Sequence, residues 1–172
     1  MEMEIGQRYP EYQVYRAFTS QMIINKLKKT EMLFVWNVKE ALEKMLADGI
    51  KTVIVQPTHI INGYENDKML ENIREFSEKF EAVRVGAPML TGTDDYKKAI
   101  HALIEDVKLA ENETLILMGN GTEHHANAAY PALEYILQTL GYVHIHVATV
   151  EGYPELKDVM KKIEEKRIKK VA

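Results

Sequence analysis

Short apolar runs alternate with amphipathic segments along most of this sequence, and that alternation restricts the chain to few folds. Each run is rich in β-branched residues and almost continuously apolar, which is typical of a strand covered by helices on both faces. The predicted strands are Tyr12–Phe18, Thr52–Pro57, Ala82–Pro88, Thr114–Met118 and Val143–Val150. The pattern therefore predicts an α/β fold.

Amphipathic helices are predicted between these strands, with Gly49 ending the second helix and Thr91 or Thr93 capping the fourth. Helical crossovers join strands in parallel, so we expect one doubly wound sheet or two smaller parallel sheets flanked by helices. We expect a domain boundary near Leu109–Glu113. It would separate an N-terminal half, residues 1–110, from a partial C-terminal half, residues 111–172. The predicted helices are Ser20–Thr30, Val38–Ala47, Glu65–Phe80, Asp94–Leu109, Asn127–Leu140 and Pro154–Arg167.

Composition excludes several classes of function. The formal net charge of -4 argues against a nucleic-acid binder, which needs a dense basic surface. The absence of cysteine excludes disulfides, thiolate metal sites and cysteine nucleophiles. No run approaches the ~20 apolar residues of a membrane span. The acidic N-terminus lacks the apolar core of a signal peptide, so a cytoplasmic location is expected.

Chemically useful residues directly follow three predicted strands, where open parallel sheets bind ligands. His59 and Gly63 follow the second strand, Gly119-Asn120-Gly121 and His124-His125 follow the fourth, and Glu151 follows the fifth. The glycine turn lacks the Gly-Lys-Ser/Thr ending of a phosphate-binding loop and the third glycine of a dinucleotide site. Glu151 is placed to act as a ligand or base, or alternatively as a helix cap.

Two histidine pairs could be metal ligands or structural residues. His124 and His125 would diverge by about 100° on a helix, so we expect one to line a cleft and the other to be exposed. His144 and His146 share a strand face and could chelate a divalent ion. Their structural alternative is a position beside a covering helix or a sheet edge. His59, a lone histidine, is either a structural hydrogen-bonding residue or part of the site lining.

Taken in order, several motifs resemble those of the anaerobic cobalt chelatases, the sirohydrochlorin cobaltochelatases of vitamin B12 synthesis. They are Arg16–Ser20 with Met22–Ile24, His59–Gly63, Met118-Gly119-x-Gly121 with His124–Ala126 and Ala128–Tyr130, and Val150-Glu151-x-Tyr153–Glu155. The resemblance implies two similar α/β domains separated by a cleft. It also implies insertion of Co²⁺ into sirohydrochlorin, with Fe²⁺ or Ni²⁺ as other candidate metals and no organic cofactor.

The resemblance also implies roles for individual residues. Glu151 matches a metal-binding glutamate, and Asn120 stands at the position of the family's catalytic histidine. His59, Gly63, Gly119, Gly121 and His124 would contact the substrate. An asparagine is a poor Co²⁺ ligand and proton acceptor, so either the native residue was replaced or normal turnover is lost.

The family pattern also has a strand before this chain's first residues and a Gly-Asp-His motif after its last, so the chain looks truncated at both ends. Loss of a central strand would expose sheet edges that favour pairing with another chain, and pairing with a second copy of this chain would give a homo-oligomer. Two alternatives to the chelatase stay open. One is a non-catalytic tetrapyrrole- or metal-binding α/β protein, and the other is a flavodoxin-like binder of a phosphorylated ligand.

Overall fold

Parallel strand pairs and helices recur in two units of the computed structural model, which describes residues 2–110, 113–165 and 170–171. The first unit contains Met1–Pro57 and Glu65–Gly86, and the second contains Thr58–Tyr64 and Ala87–Ala172. All the strand pairs found in the described chain are parallel. The predicted α/β class with helix-flanked parallel strands is confirmed, whereas a division at residue 110 stays a prediction.

The first unit holds two separate pairs of parallel strands, β1 (Ala17–Phe18) with β2 (Trp36–Asn37) and β3 (Thr52–Val55) with β4 (Ala82–Val85). A short 3₁₀ helix, Ser77–Lys79, follows the last helix of this unit. The elements in chain order are α1 (Glu2–Arg8), β1 (Ala17–Phe18), α2 (Gln21–Thr30), β2 (Trp36–Asn37), α3 (Val38–Ala47), β3 (Thr52–Val55), α4 (Tyr64–Phe76) and β4 (Ala82–Val85).

Helices α3 and α4 cover one face of the β3–β4 pair. Val53 of β3 is buried there, while the next residue, Ile54, is 56% exposed, as the alternation of side chains along a strand requires. The core of this unit consists of Val38, Leu42, Val53, Met69, Ile73, Phe76 and Phe80.

Helix α3 has the bounds that its sequence predicts, because both ends carry strong local signals. The Asn37 side chain accepts a hydrogen bond from Glu40 N at 3.0 Å, and the Glu40 carboxylate accepts one from Asn37 N at 2.8 Å. This reciprocal arrangement is a capping box. At the other end, Gly49 has a positive φ of 76°, which an L-residue adopts only with strain.

We expect Asn37→Ala to lower the free energy of unfolding of the first unit by about 1 kcal/mol, because it removes the N-cap acceptor. Urea unfolding followed by circular dichroism measures the loss. Asn37→Asp keeps an acceptor at the same place and should stay close to wild type. Equal losses in both variants would contradict the capping argument.

The second unit contains one sheet whose strands lie in the order β6 (Ile145–Thr149), β5 (Glu113–Gly119) and β7 (Lys170–Val171). Gly119 of β5 is in register with Thr149 of β6, so the carboxyl ends of these neighbouring strands lie side by side. A 3₁₀ helix, His125–Ala128, follows the turn after β5. The other elements are α5 (Thr93–Ile104), β5 (Glu113–Gly119), α6 (Ala129–Thr139), β6 (Ile145–Thr149), α7 (Leu156–Glu165) and β7 (Lys170–Val171).

Both faces of strand β6 are buried, which explains its continuous apolar sequence. Ile145 and Val147 pack with Ile100 of α5 and Leu137 of α6 in the main core. Ala148 faces the other way and packs with residues of α7 in a smaller cluster. A parallel strand covered on both faces needs apolar residues at consecutive positions.

Several predicted boundaries were wrong. Of the predicted strand Tyr12–Phe18, only Ala17–Phe18 is a strand; most of the earlier side chains are exposed, and the Tyr15 hydroxyl donates to Asp48 Oδ2 at 2.8 Å. Aromatic and β-branched composition imitated a strand there. The pattern also missed α1 and β2.

Helix α5 begins after Gly92 rather than after a threonine cap, because the Asp95 carboxylate accepts a hydrogen bond from Gly92 N at 3.0 Å. It ends at Ile104, before the predicted Leu109. The last two residues of the predicted helix Pro154–Arg167 lie outside the described residues. Among the helices described, none has the length and apolar character required to cross a bilayer.

Candidate metal-binding site

The loops that follow β5 and β6 run side by side beyond the sheet. Val150 N donates to Gly119 O at 3.1 Å, and Glu151 N donates to Asn120 O at 2.7 Å. These two bonds join the loops directly beyond the last paired residues of the strands, Gly119 and Thr149. The backbone therefore holds Asn120 and Glu151 next to each other at the carboxyl edge of the sheet.

The side chains of Asn120 and Glu151 are also in contact. Asn120 Nδ2 lies 3.4 Å from Glu151 Oε2 and 3.2 Å from Gly121 O, and donates to both. Both residues are exposed. A solvent-accessible carboxylate is a suitable oxygen ligand for a divalent ion that must later leave. The neighbouring amide orients this carboxylate but offers no basic nitrogen.

Gly119 and Gly121 shape the turn that carries Asn120. A Cβ atom at Gly119 would overlap the buried ring of Tyr130. Gly121 has a φ of 77°, and its N–H donates to the Tyr130 hydroxyl at 3.3 Å. The turn therefore packs closely on the first residues of α6. Contact of these glycines with a substrate stays a prediction.

A third glycine, Gly152, completes the contact between the two loops. A Cβ atom at Gly121 would lie 2.7 Å from Gly152 N and 2.8 Å from Thr149 Cβ, so the two backbones approach closely. A Cβ at Gly152 would itself collide with the Asn127 amide. No local pattern in the sequence indicated these roles of Gly152 and Asn127, because each depends on a residue that is distant in the chain.

His124 is buried and His125 is exposed, so the expected difference in their exposure is found. The 100° divergence was wrong, because the ring centroids lie only 3.9 Å apart. His124 has an extended backbone at the N-cap of the 3₁₀ helix, outside any α-helix. Its Nδ1 accepts a hydrogen bond from Ala126 N at 3.1 Å, so the neutral ring carries its proton on Nε2.

His59 and Gly63 lie in the segment Thr58–Tyr64 of the same unit. The carbonyl oxygen of His59 accepts a hydrogen bond from Met89 N at 3.0 Å. The Tyr64 ring meets the His124 ring edge-on, with a centroid distance of 4.6 Å. This segment therefore contacts the turn after β5 through aromatic rings. The structure directly joins Asn120, Gly121 and Glu151, and His59 and Gly63 belong to the segment that contacts the residues after that turn.

His144 and His146 do not form a metal-binding pair. His144 is exposed and precedes β6, whereas His146 is buried within the strand. His146 Nδ1 lies 3.1 Å from Glu134 Oε1 of α6, so the structural alternative holds for this residue. Among the described residues, no group of three or more histidine, cysteine or acidic side chains is placed to hold a metal ion. Glu151 would thus supply only part of a coordination shell.

Comparison with known proteins agrees with the resemblance seen in the sequence. A family model described as cobalt chelatase (CbiK) matches residues 1–172. The sirohydrochlorin cobaltochelatase of Salmonella typhimurium strain LT2 is 33% identical over 156 residues, covering 90% of this chain and 59% of that protein. Sirohydrochlorin cobaltochelatase CbiKC of Nitratidesulfovibrio vulgaris strain Hildenborough is 30% identical over 175 residues, covering 97% of this chain and 60% of that protein.

The chain thus spans 59% and 60% of the length of these two curated relatives. The family match extends over the whole chain, including the turn after β5 and the loop after β6. The chain belongs to the cobalt chelatase (CbiK) family.

Proposed function

We propose that this protein inserts Co²⁺ into sirohydrochlorin, with Glu151 as a metal ligand. Its family membership and the names of two relatives support this activity. The observation that carries the proposal is the contact of Asn120 with Glu151 at the carboxyl edge of the parallel sheet. A carboxylate at this edge, open to solvent, can receive an ion and release it.

Metal insertion exchanges one ion for two protons. Co²⁺ binds the four pyrrole nitrogens, and the two nitrogens that carried hydrogen each release a proton. Glu151 binds the Co²⁺ ion before its transfer to the tetrapyrrole and can accept one of the released protons afterwards. Asn120 can donate a hydrogen bond to that carboxylate, but its amide nitrogen is not a base. The second proton therefore passes to water or to a group other than Asn120.

The substrate would lie over the loops that carry this pair. We propose that His59, Gly63, Gly119, Gly121 and His124 contact the tetrapyrrole. The contacting rings of Tyr64, His124 and His125 support this, because a flat macrocycle packs well on aromatic side chains. Co²⁺ is the proposed metal, with Fe²⁺ and Ni²⁺ as competitors. We further propose that the reaction needs no organic cofactor and takes place in the cytoplasm, in a homo-oligomer.

We expect Asn120→His to increase cobalt insertion at least tenfold, because it places an imidazole ligand and base beside Glu151. Glu151→Gln should reduce Co²⁺ affinity at least tenfold in the wild-type and in the Asn120→His background. Absorbance of sirohydrochlorin reports insertion, and isothermal titration with Co²⁺ alone reports metal affinity.

Asn25→His is the matched control, because it adds the same side chain on an exposed position of α2. It should leave insertion and metal affinity at wild-type levels. If Asn120→His performs no better than Asn25→His, Glu151 is not part of a metal site and the proposal is wrong. Tight binding of sirohydrochlorin without insertion in every variant would favour the non-catalytic alternative.

A further inference from the structure

One planar amide joins the two loops of the candidate site. Asn127, in the 3₁₀ helix after β5, accepts a hydrogen bond from Thr122 N at 3.1 Å through its Oδ1. Its Nδ2 donates to Tyr153 O at 2.6 Å. Thr122 follows Asn120 by two residues, and Tyr153 follows Glu151 by two residues. The Asn127 side chain therefore spans from one loop to the other.

We propose that Asn127 is a positioning residue that sets the separation of Asn120 and Glu151. This inference rests on the proposed function of that pair. Among the described residues, the bond from Glu151 N to Asn120 O is the main-chain hydrogen bond between the two loops that lies farthest from the strands. Farther from the sheet, Thr122 and Tyr153 are connected through hydrogen bonds to the Asn127 amide.

The chemistry of the bridge requires a side-chain amide, which Asn127 provides. One end of the side chain must accept from a backbone N–H, while the other must donate to a carbonyl oxygen. A carboxylate provides no donor, and an aliphatic side chain provides neither group. The two partners also determine which end of the amide is oxygen, so its orientation follows from the hydrogen bonds.

The surroundings of Asn127 are shaped to admit this bridge. Gly152, between Glu151 and Tyr153, leaves the space that the amide occupies, since a Cβ atom there would collide with it. Tyr153 is 63% exposed, so side-chain burial holds this part of the loop only weakly. The loop is also closed at its far end, where Thr149 N and Oγ1 both donate to Pro154 O at 2.7 and 3.0 Å. Asn127 supplies the support between these two ends.

Asn127→Leu, which keeps the approximate shape but removes both hydrogen bonds, tests the inference in the full chain. We expect backbone amide exchange at Thr122 to accelerate at least tenfold, and the dissociation constant for Co²⁺ to rise about tenfold. Asn127→Asp keeps the acceptor for Thr122 but places a carboxylate against Tyr153 O. It should retain the exchange protection of Thr122 and still bind Co²⁺ more weakly.

Gly141→Ala is the control for a general loss of stability, because it strains a turn of the same unit where no atom lies near the added Cβ. It should lower the melting temperature without changing Thr122 exchange or Co²⁺ affinity. Unchanged exchange, or Co²⁺ affinity within twofold of wild type in Asn127→Leu, would overturn the inference. A Glu151→Gln variant with wild-type Co²⁺ affinity would instead overturn the proposed function.

Discussion

Replacing Glu134 by alanine is expected to lower the free energy of unfolding by about 3 kcal/mol, because it leaves buried polar groups without partners. Glu134 is 7% exposed. Its Oε2 accepts from Val147 N at 3.1 Å, and its Oε1 lies 3.1 Å from His146 Nδ1 and 3.2 Å from Gln138 Nε2. Lys162 Nζ of α7 lies 3.8 Å from the same Oε1. One carboxylate thus links α6, β6 and α7.

Part of this effect comes from the edge of the sheet. In the described sheet β6 is an edge strand, with β5 on one side and no strand on the other. The N–H groups of Val147 and Thr149 point away from β5, so they need hydrogen-bond acceptors from outside the sheet. Glu134 accepts from the first and Pro154 O accepts from the second. Removal of the carboxylate leaves the Val147 N–H buried and unpaired, which costs roughly 1–3 kcal/mol by itself.

The contribution of Glu134 should depend on pH in a defined direction. Burial raises the pKa of Glu134, but the hydrogen bonds from His146 and Val147 N and the charge of Lys162 outweigh it and lower the pKa. A lowered pKa stabilises the fold above the unfolded value of about 4.3. That stabilisation is lost as the pH falls through the still lower pKa of the folded state.

Urea unfolding between pH 7 and pH 3 measures both effects. The difference between wild type and Glu134→Ala should be constant from about pH 7 to 5 and should shrink below about pH 4. Glu164→Ala removes an exposed carboxylate of α7 and should change stability by less than about 0.5 kcal/mol. A difference that persists undiminished at pH 3 would show that the charge of Glu134 does not contribute.

Gly121→Ala is expected to cost about 3 kcal/mol, from two separate causes. The φ of 77° places an L-residue in the left-handed region, at a cost of about 1–2 kcal/mol. The new methyl group would also lie 2.7 Å from Gly152 N and 2.8 Å from Thr149 Cβ. Overpacking of this kind costs typically 1–3 kcal/mol. Because neither neighbour is a flexible side chain, the two loops must separate.

Gly141→Ala isolates the first cause, because Gly141 has a φ of 92° and nothing within 4 Å of an added Cβ. Its expected loss is about 1 kcal/mol, measured by thermal unfolding alongside Gly121→Ala. Separation of the loops should also weaken Co²⁺ binding in Gly121→Ala, whereas Gly141→Ala should bind normally. Equal stability losses in the two variants would mean that the backbone contact between Gly121 and Gly152 adds nothing.

The local sequence pattern was sufficient for the class of fold and for the best-signalled elements. Runs of consecutive apolar residues predicted strands that are covered on both faces. Strand β6 is such a strand, because Val147 and Ala148 are buried in separate clusters on its two faces. The cap at Asn37 and the stop at Gly49 determined α3, because each acts within four residues. Parallel pairing also placed the residues after β5 and β6 at one edge, so the proximity of Asn120 and Glu151 could be expected.

Other assignments depended on partners that lie far away in the chain. His146 contacts Glu134, and Asn127 donates a hydrogen bond to the carbonyl oxygen of Tyr153. Neither partner could be identified from the periodicity of a helix or a strand. The close contact of the His124 and His125 rings depends on an irregular backbone at His124, which a regular helical period does not predict. Local sequence determined most of the strands and helices, although not α1 and β2, because those preferences act over a few residues. Only the tertiary structure decided what each polar side chain bonds to, because hydrogen bonds join atoms that folding brings together.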